Sequence, residues 1–325
     1  MIDNISKVGK VFSLRQPRSF KVATHMNSTA HPWNAVLVRA PAHSIITTST
    51  LQRPTLSAES DCKFSFNMAA ASSKPAILLV QGSFQIPEAY GKLASALRSR
   101  GFFVSQPHLP SLSDHESPGF AERGLTDDSR AIEAEAKRLV VDEGKTVMVV
   151  MHSYGGLVGS DGIPEDVSLQ SRRQRGLTGG VSRLFYIAAF ILDQGKSVLG
   201  TFGESPNNDV KPNGRFTMKE TASIIYHDLP PGEASYWASK IIDQSYAVQT
   251  TPITRTAYKY IPSTYVMTED DHALPLQYQE MFAAATGAEV KRISSGHSPQ
   301  LSKPEELADL VEAAAEMSTY IEARG

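Results

Sequence analysis

The chain has 325 residues, 41% hydrophobic and 20% charged, enough for one sizeable α/β core plus an appendage. A formal net charge of −2 speaks against a nucleic-acid-binding protein, which is ordinarily basic. No apolar run reaches the roughly 18–20 residues of a membrane helix, and a single cysteine, Cys62, excludes an intrachain disulfide. The expectation is a soluble chain that does not depend on an oxidising compartment, which fits a cytoplasmic home.

Residues 1–67 differ from the rest. They carry eight basic and three acidic residues, a net +5, while the remainder has 24 basic and 31 acidic, a net −7. The stretch is rich in Ser and Thr, lacks a sustained apolar period, and reads as a disordered extension running to about residue 73. Its composition also fits an organelle transit peptide, and Met68 would make a natural start just ahead of the first good strand. Cys62, within this stretch, reads as a free thiol rather than a nucleophile.

From Lys74 the pattern becomes strand, loop, helix, repeated. The run AILLV at Ala76–Val80 is short, apolar and closed by Gly82, as a buried strand should be. A helix is predicted over 90–100, ending at Gly101, followed by a strand over 102–105 and a Pro-rich loop over 107–118. A long amphipathic helix over 127–143 stops at Gly144. Strands are predicted over 146–151 and 184–190. Residues 191–262 break the alternation with helical pieces, Pro230-Pro231 and many aromatics, and read as an insertion. Strands over 264–268 and 290–293 and a helix over 304–323 complete an α/β domain from 74 to 325. Strands alternating with helices predict a mostly parallel, doubly wound sheet.

The chemistry centres on MHSYGG at residues 151–156, where an apolar strand runs into a serine and then a glycine-rich helix start. That is the context of a nucleophile elbow, whose tight turn presents the Ser153 hydroxyl above the sheet. Gly155 meets the small-residue requirement two positions later, whereas Met151 stands where the usual motif has glycine. A serine nucleophile needs an imidazole within about 3 Å and a carboxylate behind it. His297, in a glycine-flanked loop after the last strand, is the base expected from chain order. The acid comes from Glu269-Asp270-Asp271, at the end of the preceding strand. Asp271 is preferred and Asp270 is the alternative, with Glu269 read as solvated and Asp193 as an outside candidate. His272 stands in the wrong order and reads as loop surface.

A helix N-terminus behind Ser153 and the turn at Gly82 would aim backbone N–H groups at a developing oxyanion. The donors are assigned to Ser83 and Tyr154, with Phe84 as an alternative to Ser83. No H-E-x-x-H, cysteine pair, P-loop or G-x-G-x-x-G stands in the sequence, and His108 and His115 read as loop residues. No metal or organic cofactor is expected.

The stretches VQGSF at 80–84, MHSYGG at 151–156, FYIAAFILDQGKS at 185–197, IPSTYVMTEDDHALP at 261–275 with Gln279, and SGHSPQLSKPEEL at 295–307 together carry a family resemblance. From Lys74 onward the chain resembles the α/β-hydrolase superfamily, and within it the small-ester branch. That branch holds plant methyl-salicylate esterases, hydroxynitrile lyases and related fungal and bacterial hydrolases. The resemblance implies a helical cap over residues 191–262 and no metal or cofactor. Two departures stand out: Gln81 where the branch has His before the glycine, and the doubled aspartate at 270–271.

The implied activity is hydrolysis of a small carboxylic ester, thioester or lactone through an acyl-enzyme on Ser153. Phe84 and the cap aromatics Tyr226, Tyr236, Trp237, Tyr246 and Tyr258 would line an apolar pocket. A lyase or cyclase on the same fold is the alternative reaction, although the acid loop offers no lysine of the kind hydroxynitrile lyases use. A non-catalytic binding protein is the third reading.

Overall fold

Burial on both faces turns the apolar runs into the interior strands of one sheet. All five residues of β1 (Ala76–Val80) are buried, as are all eight of β4 (Gly180–Ile187) and all but the first of β3 (Thr146–His152). With β2 (Val104–Ser105), β8 (Ser263–Thr268) and β9 (Glu289–Ile293) they form a six-stranded sheet in the order β2-β1-β3-β4-β8-β9, parallel throughout. β9 lies at an edge and alternates exposure along its length. These coordinates are a computed structural model describing residues 74–322; the basic leader, Cys62 and Met68 lie outside the described residues.

Helices α1 (Gly91–Ser99), α2 (Leu125–Lys137), α3 (Gly155–Gly162) and α4 (Leu169–Gln174) connect the first four of these strands. α2 starts two residues before its expected position because Gly124 caps it: the Asp127 carboxylate accepts the Gly124 N–H at 2.8 Å. Its C-terminal end widens into a π-helical stretch, Arg138–Asp142, before the chain turns at Gly144 with φ +65°. β4 starts at Gly180 rather than 184, since Ser182 and Arg183 are buried in it without any apolar signature. It ends at Ile187, where Ala188 takes φ 42°.

The interval 191–262 holds α5 (Val198–Phe202), α6 (Thr221–Ile224), α7 (Pro231–Ala238) and α8 (Ala247–Thr250). It also holds a three-stranded antiparallel sheet of β5 (Asn208–Val210), β6 (Arg215–Met218) and β7 (Gln244–Ser245), so the insertion is not purely helical. Strands of two to four residues are too short to show a period of two, which is why periodicity missed them. α9 (Leu276–Thr286), α10 (Pro299–Ser302) and α11 (Pro304–Glu322) follow. No helix among the described residues is long and apolar enough to cross a membrane.

The parallel arrangement puts the carboxyl ends of β1, β3, β8 and β9 on one side of the sheet. The loops carrying Ser83, Ser153, Asp271 and His297 leave from those ends.

Candidate active site

Ser153 sits between β3 and α3 with φ 52°, a left-handed conformation that costs a non-glycine residue on the order of 1–3 kcal/mol. The neighbouring backbone holds it there. Its N–H donates to the Ile187 carbonyl at 3.1 Å, and its own carbonyl accepts from Phe190 at 3.1 Å and Gly156 at 3.0 Å. A Cβ at position 155 would lie 2.6 Å from the Val80 carbonyl oxygen, so only glycine fits against the end of β1. Met151, the departure from the usual motif, is fully buried. Its sulfur fills the space over Gly159, where a Cβ would approach it to 2.3 Å.

Three side chains then line up. His297 Nε2 lies 3.0 Å from Ser153 Oγ, and His297 Nδ1 lies 2.8 Å from Asp271 Oδ2. All three residues are buried. Asp271 Oδ1 accepts the N–H groups of Ala273 and Leu274, both at 2.8 Å, and Oδ2 also accepts the Thr268 hydroxyl at 2.7 Å. Burial raises the Asp271 pKa, but the His297 imidazole and these donors outweigh it and hold the carboxyl below its ordinary value. The group is therefore a carboxylate at neutral pH, oriented to accept from His297. Asp270 and Glu269 are exposed, and exposed Asp193 lies against Tyr258 at 3.4 Å, so none of them reaches His297. His115 donates to the Asp243 carbonyl at 2.8 Å and His108 is exposed, consistent with loop residues.

A buried polar network beneath the site was not legible in the sequence. His152 Nε2 donates to the His297 carbonyl at 2.7 Å, while its Nδ1 faces the Tyr90 hydroxyl at 2.8 Å. Burial, followed by the neighbouring His297, pushes the His152 pKa down to about 3, so it stays neutral and serves as a strut. Tyr90 also accepts the Gly82 N–H at 2.7 Å, tying the loop after β1 to the same strut. A Cβ on Gly82 would lie 2.9 Å from His152 and 3.0 Å from the Ser153 Cβ, so the backbone passes close to that serine. Gln81, the second departure, turns its side-chain amide onto the Gln85 carbonyl at 2.9 Å, inside its own loop.

Asp128 is a further residue that the sequence reading passed over. It is fully buried and accepts the Ser111 N–H at 2.8 Å, the Ser111 hydroxyl at 2.6 Å and the Tyr154 hydroxyl at 2.7 Å. Burial dominates these bonds and raises its pKa to about 6. It fixes the ring of Tyr154, whose backbone follows the elbow serine. One signal was present: Asp128 falls three residues after Leu125 and four before Ile132, on the buried stripe of α2.

A cavity of roughly 260 Å³ opens onto Ser153 and His297. Ser83 and Phe84 line it from the loop after β1; Val198, Phe202, Phe216, Met218 and Ile225 line it from the insertion; Leu274, Tyr278 and Phe282 line it from the acid loop and α9. Phe84 thus lies where expected. Tyr226 and Trp237 do not line this cavity, and neither do Tyr236, Tyr246 and Tyr258. Tyr226 is buried with its hydroxyl accepting from Gln85 at 3.2 Å, and Trp237 packs edge-on against Tyr236 with ring centroids 5.1 Å apart. Five phenylalanines and several aliphatic side chains line the cavity instead, beside the polar residues Glu204, Ser205, Asn207, Asn208 and Gln249.

A parallel sheet with an elbow serine and a buried imidazole and carboxylate within hydrogen-bonding reach defines a class. The alpha/beta hydrolase family model matches residues 77–310, and the chain belongs to that family. The alpha/beta hydrolase nvfD of Aspergillus novofumigatus is 29% identical over 250 residues, which is 74% of this chain and 97% of that protein. Two solved structures share the fold at low identity. Polyneuridine aldehyde esterase superposes with a TM-score of 0.60 at 16% identity, over 74% of this chain and 99% of its own. The methylesterase MES16 from Arabidopsis gives 0.58 at 18% identity, over 75% and 99%.

Proposed function

We propose that the protein hydrolyses a small carboxylic ester through an acyl-enzyme on Ser153. The observation that carries this reading is the unbroken contact from Ser153 Oγ through the His297 ring to Asp271, at 3.0 and 2.8 Å, opening onto a largely apolar cavity. His297 Nε2 takes the Ser153 proton as Oγ attacks the ester carbonyl carbon. Asp271 stabilises the imidazolium that forms. The backbone N–H groups of Ser83 and Tyr154 receive the oxyanion; neither has a hydrogen-bond partner among the described residues. The tetrahedral intermediate expels the alcohol, which leaves with the proton from His297. Water, deprotonated by His297, then attacks the acyl-enzyme, and the carboxylic acid and the free serine are released.

The substrate reading rests on the cavity. Roughly 260 Å³ walled by Phe84, Phe190, Phe202, Phe216 and Phe282 suits a compact apolar acyl or alcohol group. Thioesters and lactones present the same electrophile. The esterase and methylesterase names of the structural neighbours point the same way, and residues 191–262 act as the cap over the bound ester.

The test is covalent labelling with a fluorophosphonate together with turnover of p-nitrophenyl butyrate. The wild-type chain is expected to label at Ser153 and to turn over, and Ser153→Ala to lose both. Turnover at the wild-type rate by Ser153→Ala would overturn the proposal.

A further inference from the structure

The loop that supplies Asp271 also takes part in a second constellation, on the outer side of the same loop. His227 follows α6 in the insertion, while Asp270 and His272 flank Asp271, and donor atoms from the three lie within 4.8 Å of one another. We propose that His227, Asp270 and His272 form a binding site for a divalent transition-metal ion that clasps the insertion to the acid loop. This goes beyond the hydrolase reading and does not depend on it.

The donor geometry is close to what an ion needs. His227 Nε2 is 3.3 Å from Asp270 Oδ2, and His272 Nε2 is 3.8 Å from Asp270 Oδ1. Bonds of about 2.0–2.2 Å in a tetrahedral site set ligand-to-ligand edges of roughly 3.4 Å. Both imidazole–carboxylate spacings lie within about 0.4 Å of that edge, and with all three donors inside 4.8 Å the side chains would have to draw together around an ion.

The tautomer is already arranged on one ligand. His272 Nδ1 lies 3.1 Å from the Ser223 carbonyl, so its N–H donates there and leaves the Nε2 lone pair facing Asp270. A backbone carbonyl behind a ligating imidazole is the common support in metal sites. His227, whose side chain is only 14% exposed, finds its one hydrogen-bond partner among the described residues in Asp270. Its buried Nδ1 has no partner there.

The two rings stack with centroids 3.6 Å apart and planes 9° from parallel, and the Nε2 atoms lie 3.3 and 3.8 Å from oxygens of the same carboxylate. His227 Nε2 donates to Asp270 in this arrangement, so an ion would displace that proton, and the stacked rings would have to turn toward each other. His272 and Asp270, at 51% and 72% side-chain exposure, are free to make that movement. Two imidazoles and one carboxylate favour zinc, nickel or copper over magnesium or calcium, and water would complete the coordination.

The clasp would reach both loops of the Ser153 site. Asp270 is bonded in sequence to Asp271, and Asp228, next to His227, accepts the Gly296 N–H at 2.7 Å beside His297. An ion held by these three ligands would join the segment after α6 to the acid loop, and Asp228 already ties that segment to the histidine loop.

The experiment uses the untagged full chain, stripped with a chelator and titrated at pH 7.5 with zinc chloride by calorimetry and thermal unfolding. The same titration is run on His227→Gln/His272→Gln and on Asp270→Asn, whose folding is checked by circular dichroism. His25, His31, His43 and Cys62 stand elsewhere in the chain, so the site is defined by the affinity lost in the variants. Expected are one saturable ion per chain, a Tm raised by several degrees, and at least a 100-fold loss of affinity in the double variant. Cobalt should give the visible absorption of a tetrahedral nitrogen and oxygen site in the wild type alone. Equal zinc affinity in wild type and double variant, or a Tm that responds to pH but not to zinc, would overturn the proposal. Neither readout needs a substrate, so failure here is separate from failure of the esterase reading.

Discussion

Met151 and Gly159 are packed as a complementary pair: the thioether of one occupies the volume that the other leaves by lacking a side chain. A Cβ at position 159 would lie 2.3 Å from the Met151 sulfur and 2.8 Å from its Cγ. Methionine at position 151 is accommodated because α3 presents a residue without a side chain at the facing position. Gly159→Ala should destabilise the fold by about 1–3 kcal/mol through overpacking. Met151→Ala on top of it should restore part of that loss. Denaturant unfolding of both single variants and the double closes the cycle; additive effects would disprove the pairing.

The two neighbouring aspartates divide cleanly between a buried and an exposed role. Asp271 accepts from His297 at 2.8 Å, while Asp270 is 72% exposed on its side chain. Asp271→Asn should lower kcat for p-nitrophenyl butyrate roughly 10³- to 10⁴-fold, because the amide disturbs the imidazole tautomer and no longer stabilises its charge. Asp270→Asn, assayed with a chelator present, should stay within about twofold of wild type. A comparable loss in both variants would remove the distinction.

Asp128 gives stability a pH signature. Its folded pKa of about 6 lies above its ordinary 3.8, so the fold favours the protonated form. The stability this contributes is complete below about pH 4 and lost as pH rises through 6. The difference between 3.8 and about 6 corresponds to about 3 kcal/mol between those limits. Asp271 has the opposite sign: its carboxyl is held low, so its contribution is present above its ordinary pKa and fades only as pH falls further. Unfolding free energies from pH 4 to 8 should therefore include a decline that Asp128→Asn removes. An unchanged slope in that variant would contradict the assignment.

Phe202 tests the cavity wall. Its ring meets Tyr278 and Phe282 edge-on, with centroids 6.0 Å away in each case, and it lines the cavity from α5. Its ring contacts are with Phe190, Tyr278 and Phe282 rather than with His297, so its removal should weaken substrate and transition state alike. Phe202→Ala is expected to raise KM for an apolar ester about tenfold and leave kcat within about twofold. A fall in kcat at constant KM would place the residue in the chemistry instead.

The parallel sheet was legible in the sequence, and with it the placement of Ser153, Asp271 and His297 on one side of that sheet. Apolar runs bounded by glycine mark interior strands, and a serine, an aspartate and a histidine at the ends of successive strands must meet on one side of a parallel sheet. What it could not determine was anything built by side chains far apart in the chain. His152, Tyr90 and Gly82 meet only because β1 and β3 are neighbours. Tyr226 and Trp237 failed as pocket residues because composition shows that aromatics are present but not which way they face. His227 reaches His272 across 45 positions of sequence, with no spacing to announce it. Local patterns record the burial of each segment, whereas a cavity wall or a ligand cluster is decided by which segments the fold packs together.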